Sequence, residues 1–288
     1  MSTITKYVEN KKFHTTLINF IYQFKCDKNE IMALTILSRL LNRSNKKYNS
    51  EALHQKEKLN RYIINYNSLN QGINDVYFLN ISLLIPNKNL VKEDKLEEQI
   101  LFLLDNIYDN NLGDIELFNK EKRLYTEKLL NNYKNIEFIA EKNLLDLLDQ
   151  DCIFNKLKYR DLDNINKLTI DDIKCFYNKY IKNIKPKIFI NGNIDIDKVS
   201  NIINNYMDKL NLKEYKVITE YDNYYKDNDL IEKYDTSKFY QSIIYMVYNV
   251  KDYKKEDFYK LYMINLLLNS SSSSLLMNAL RKDSNLVY

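Results

Sequence analysis

The stretch "LTIDDIKCFYNKYIKNIKPKIFINGNIDIDKVSNIINNYMDKL", residues 168–210, leaves the chain little structural freedom. Thr169 followed by Asp172 is a helix-start pair, with a hydroxyl at the N-cap and a carboxylate at N3 that can answer each other. Ile173, Phe176, Tyr177 and Tyr180 then recur at helical spacing and define one apolar face. "KIFIN" (187–191) predicts a short buried strand, and Gly192 permits a turn. A second amphipathic helix follows, with Val199, Ile202, Ile203, Tyr206 and Leu210 on one side. Helix, strand, turn and helix in that order predict an α+β fold.

The rest of the chain reads in the same terms. "TTLINFIYQF" (15–24) mixes β-branched and aromatic residues as a strand does, and "NEIMALTILSRLLN" (29–42) reads as a largely buried helix. "SEALHQKEKLNRYI" (50–63) predicts a more polar helix. Strands follow at 62–69 and 76–85, the second ending at Pro86, which cannot donate to a ladder. Leu96, Ile100, Leu103, Leu104 and Ile107 share one helix face, and two or three further helices are expected over 115–160. Residues 211–235 are polar with alternating charges and read as a linker. Beyond them the pattern restarts, with a strand at 238–250, helices at 255–268 and 273–282, and a strand from Leu286.

Charge and composition exclude several functions. Forty-three basic and 39 acidic side chains are interleaved, for a net charge of +4, whereas a nucleic-acid binder concentrates its cations on one face. No apolar run approaches a membrane span, and the N-terminus has no secretory h-region. The sparse cysteines Cys26, Cys152 and Cys175 form no CxxC and suggest a reducing, cytoplasmic setting. With only two histidines and three glycines in 288 residues, there is no glycine-rich phosphate loop and no nucleophile–histidine pair at a telling spacing. His14 reads as an exposed strand start, and His54 as part of a helix's polar face.

Residues 168–210 resemble the segment that closes one homology half in the insulinase/pitrilysin family of inverted-zincin peptidases. "NSSSSSLLMNALRKDSNLVY" (269–288) resembles the matching motif of the second half, and "KFHTTLINF" (12–20) is similar to the family's N-terminal strand. The likeness is greatest to zinc-less bacterial members. It implies two homologous halves of antiparallel or mixed sheet packed with helices. Residues 1–215 would form an N-terminal half with a degenerate zinc motif. Residues 216–288 would be the incomplete beginning of the C-terminal half.

In catalytic relatives an HxxEH helix supplies two histidine ligands and a general base, and a later glutamate completes the site. The resemblance places Thr35, Ser38 and Arg39 at the three motif positions, so that "TILSR" stands for HxxEH. It places Lys128, beside Glu127, at the distal glutamate. A cation at a ligand position opposes Zn²⁺, so no cofactor is expected in this chain. Zinc is expected instead in a homologous HxxEH-containing partner subunit.

The family's second half contributes an arginine and, seven residues later, a tyrosine that hold substrate, and Arg281 and Tyr288 have that separation. A guanidinium can donate to peptide carbonyls, and a phenol can stabilise a developing oxyanion. The implied role is a non-catalytic, substrate-binding subunit of a heterodimeric peptidase, holding an extended peptide at a sheet edge. A scaffold protein with no peptidase role and an independent metallopeptidase remain as alternatives.

Overall fold

The computed structural model describes residues 4–27, 29–73, 76–147, 160–214, 218, 232–235, 242–248, 250, 254–269 and 272–283. Alternation of burial builds its centre. In strand β2 (Thr15–Lys25), Thr16, Ile18, Phe20 and Tyr22 point to one face and are buried, while Leu17, Asn19 and Ile21 point to the other and are half-buried. Strand β4 (Val76–Pro86) repeats the pattern with Leu79, Ile81, Leu83 and Ile85. The two pair antiparallel along their whole length, from Thr15 opposite Pro86 to Lys25 opposite Val76.

Strand β1 (Lys6–Glu9) and strand β3 (Asn65–Ile73) form the edges of a five-stranded sheet, and strand β5 (Lys187–Gly192) lies inside it, in the order β1-β5-β2-β4-β3. All pairings are antiparallel except β1 with β5, so the sheet is mixed. Gly192 ends β5 at φ 151°, where a Cβ would lie 2.3 Å from Thr16 Oγ1. Only glycine fits that approach.

Helices cover the buried face. The first, α1 (Glu30–Leu40), is apolar around its circumference and almost entirely buried, as expected for a helix packed on several sides. Helix α2 (Glu51–Asn60) starts at Ser50, whose side chain accepts from Leu53 N–H. Helices α3 (Leu96–Tyr108), α4 (Ile115–Asn132), α5 (Ile136–Leu147) and α6 (Leu162–Lys167) follow. Helix α7 (Ile170–Tyr180) opens with the predicted capping box, Thr169 and Asp172 each accepting from the other's backbone N–H. Helix α8 (Ile196–Met207) buries Val199, Ile203 and Met207, and Leu210 falls in the turn after it.

The chain divides into two compact units, residues 1–224 with 232–245, and residues 225–231 with 246–288. In the second, a 3-10 turn (Lys255–Asp257) leads into α9 (Phe258–Asn269). A short helical turn, α10 (Leu275–Met277), then continues as a π-helical turn over Asn278–Asp283. Helix α9 is apolar all round, as α1 is, yet Tyr259, Met263, Ile264 and Leu267 are exposed.

Three expectations meet a different outcome. Residues 242–248 and 250 form no strand, because no neighbouring strand among the described residues accepts their backbone groups. The helix expected at 273–282 loses its α register after one turn. His54 is fully buried rather than on a polar face. It lies near the Phe102 and Tyr66 rings, and its Nε2 is 2.8 Å from Asn106 Oδ1. The linker proposed at 211–235 lies largely outside the described residues, and the strand from Leu286 wholly so.

Candidate functional site

Thr35, Ser38 and Arg39 share one face of α1, at i, i+3 and i+4. The hydroxyls are spent locally: Thr35 Oγ1 donates to Ile31 O at 2.8 Å, and Ser38 Oγ to Thr35 O at 3.0 Å. Arg39 reaches out instead. Its Nε donates to Glu121 Oε2 at 2.8 Å, and a second guanidinium nitrogen lies at the same distance from that oxygen. Arg43, one turn on, holds Nε 2.8 Å from Glu121 Oε1, an ion pair without hydrogen-bond alignment.

Glu121 comes from α4, whose Phe118, Glu121, Tyr125 and Leu129 form its buried face. The side chain is 0% exposed, so its charge depends on the two guanidiniums. The network runs outward through Arg43 to Glu51 at 2.5 Å and from Glu51 to Lys120 at 2.6 Å. Lys120 above all, then Arg43, holds the Glu51 carboxyl below its usual range.

The carboxylate opposite α1 is therefore Glu121, two turns before the Lys128 position that the sequence comparison indicated. Glu127 is exposed and pairs weakly with Arg123 at 3.9 Å. Lys128 does lie nearby: its Nζ is 6.0 Å from the centre of the Tyr125 ring, and the Arg39 guanidinium is 5.8 Å from the same ring. Zinc requires lone pairs converging on one point. Here two hydroxyls point back along their helix and a guanidinium faces the carboxylate, so these residues do not fit a zinc ion. Among the described residues no three of His, Cys, Asp and Glu gather into a metal-binding group.

Beside α1 runs the outer edge of β3, which no strand pairs among the described residues. Ser68 turns its backbone toward that edge: its N–H donates to Asn42 Oδ1 at 2.6 Å, and its C=O accepts from Asn42 Nδ2 at 3.2 Å. Alternation then turns the backbone groups of Asn70 and Gly72 outward too. Asn42 thus blunts the middle of the edge, and no described residue pairs with the backbone of its far end.

The side chains at that end form a chain of donors. Asn70 Nδ2 donates to Ser38 Oγ at 2.8 Å, and Asn70 Oδ1 accepts from Arg160 at 2.8 Å. Arg160 has no carboxylate partner among the described residues, and its Nε is buried without an acceptor. The Tyr125 phenol is pushed above its ordinary pKa by burial, with the Arg160 and Arg39 charges acting against that shift. Sequence reading missed Glu121, Asn42, Asn70 and Arg160. Each is an ordinary polar residue whose position only packing discloses.

Arg281 is exposed on the π-helical turn of the second unit. Tyr288 lies outside the described residues. His14 is exposed and directly precedes β2.

Comparison with known families adds an independent observation. Residues 167–288 match the family model described as Peptidase M16 inactive domain. The match is to the inactive-domain model of the M16 (insulinase/pitrilysin) peptidases and covers the C-terminal part of the chain. Solved structures of M16-type proteins share the fold. A peptidase M16 inactive domain from Pseudomonas fluorescens superposes with a TM-score of 0.67 at 12% identity, over 98% of this chain and 66% of its own. A conserved protein from Enterococcus faecalis V583 gives 0.76 at 15% identity, over 97% of this chain and 67% of its own. The periplasmic protease PqqL from Escherichia coli gives 0.58 at 10% identity, over 74% of this chain and 23% of its own. The chain thus spans about two thirds of the length of the first two and under a quarter of the third. No curated protein matches the sequence. No helix among the described residues is long and apolar enough to cross a membrane.

Proposed function

We propose that this chain is the peptide-holding, zinc-free subunit of a heterodimeric M16 peptidase, acting with a homologous subunit that carries an intact HxxEH. The observation that carries the reading is the Arg39–Glu121 pair, which puts a salt bridge where a catalytic relative needs ligands. The open end of β3 supports it from the substrate side, since Asn70 and Gly72 can pair with an extended peptide laid along the edge. Arg281 and Tyr288 complete the proposal as groups that grip the peptide backbone from the second half. The site of action in this reading is the cytoplasm.

Zinc analysis and peptidase assays on the chain alone, on its HxxEH-containing homologue and on their mixture test it. The expected result is metal only in the homologue, and cleavage only in the mixture, reduced at least tenfold by Arg281→Ala or Tyr288→Phe. Zinc held by this chain alone would sink the proposal. A fully active homologue indifferent to this chain would favour a scaffold instead.

A further inference from the structure

We infer that the open end of β3 carries a carboxylate-binding site, and that the peptide this chain holds presents either its C-terminal carboxylate or an Asp or Glu side chain there. The inference rests on the peptide-holding reading and adds the chemistry of the ligand.

The argument is one of unspent donors. Arg39 is hydrogen-bonded to Glu121, and Arg43 is ion-paired with Glu121 and hydrogen-bonded to Glu51. Arg160 differs: one guanidinium nitrogen donates to Asn70 Oδ1, while its Nε is buried with no acceptor, and no carboxylate among the described residues pairs with it. A buried guanidinium donor left unpaired is costly, and an anion relieves that cost. The Tyr125 hydroxyl, on a side chain 8% exposed, also makes no hydrogen bond among the described residues. Lys128 lies on the same side of α4, near the Tyr125 ring, and adds a further positive charge.

Their placement selects a peptide carboxylate. Asn70 bonds Arg160 through its side chain and turns its own backbone to the open edge. A strand pairing there would bring one end, or a side chain, beside the guanidinium. Arg160 would then bind the carboxylate by paired N–H donors, the geometry to which guanidinium is suited. Glu121 cannot compete for Arg160, because Arg39 and Arg43 hold both its oxygens. The same cations would repel a peptide bearing Lys or Arg at this position.

Binding of fluorescent extended peptides to the full chain tests this. One peptide of neutral sequence is made as free acid and as C-terminal amide, and the amide is also made with a single internal Asp or Asn. We expect the free acid, or the Asp-containing amide, to bind at least tenfold more tightly than its neutral counterpart. Arg160→Gln should abolish that preference, and Tyr125→Phe should reduce it. Preference for the free acid identifies the C-terminus as the source, and preference for the Asp peptide identifies a side chain. Equal binding of all four peptides overturns the carboxylate site and leaves the peptide-holding reading standing. Absence of binding by every peptide overturns both. Circular dichroism of each variant separates loss of the site from loss of the fold.

Discussion

Arg39 Nε donates to Glu121 Oε2 across 2.8 Å, joining α1 to α4 through a carboxylate with no exposure to solvent. The pair lies 82 positions apart in sequence. Its consequences for stability can be measured.

Removing the carboxylate's charge leaves Arg39 and Arg43 facing a neutral amide. Glu121→Gln is expected to lower unfolding free energy by about 3 kcal/mol, the usual cost of breaking a buried pair from one side. The exposed control Glu127→Gln should change it by less than about 0.5 kcal/mol. Urea denaturation followed by circular dichroism provides the comparison, and equal effects would contradict the buried pairing.

Metal binding should be recoverable because Glu121 already faces the α1 site. Thr35→His with Arg39→His would place two imidazoles at i and i+4 opposite that carboxylate. The double variant is expected to gain stoichiometric zinc by elemental analysis after dialysis, and Glu121→Gln added to it should abolish that zinc. A zinc-free double variant would show that Glu121 is not aimed at the positions of Thr35 and Arg39.

His54 should make stability depend on mild acid. Asn106 Nδ2 donates to Phe102 O, which leaves Asn106 Oδ1 to accept from His54 Nε2 and the buried Nδ1 without a partner. Burial, aided by the Lys58 charge, holds the imidazole below its ordinary pKa, with the Asn106 bond and Glu51 opposing. A His whose folded pKa is depressed contributes stability above its unfolded value, near 6.5, that is lost as pH falls toward the folded value. Unfolding free energy should therefore drop between pH 7.5 and 5.5, above the range in which Glu30, Glu51 and Asp94 titrate. His54→Asn should flatten that window, and an unchanged slope would refute the assignment.

Gly192→Ala should destabilise the chain by roughly 2 kcal/mol or more. Its φ of 151° suits glycine alone, and the added methyl would meet Thr16 Cα at 2.6 Å, backbone that cannot swing away. Thermal denaturation measures the loss. A variant as stable as the parent would mean that β5 ends differently.

Much of the architecture follows from short-range pattern. The Thr169–Asp172 box, the strand alternation of β2 and β4, and the apolar course of α1 each lie within one element, where periodicity of two or 3.6 dictates which side chains are buried. The missing HxxEH is equally plain in "TILSR". Tertiary structure decided the rest. Whether Glu121 or Lys128 faces Arg39 depends on how two helices are set against each other, and both positions lie on the same face of α4. Asn42 capping the β3 edge and Arg160 resting on Asn70 join separate elements whose approach no local period encodes. Residues 242–248 have strand-like composition, but a strand exists only where a neighbour takes its hydrogen bonds. Local propensity is a property of consecutive residues. Pairing of charges and backbone edges is a property of surfaces brought together by burial.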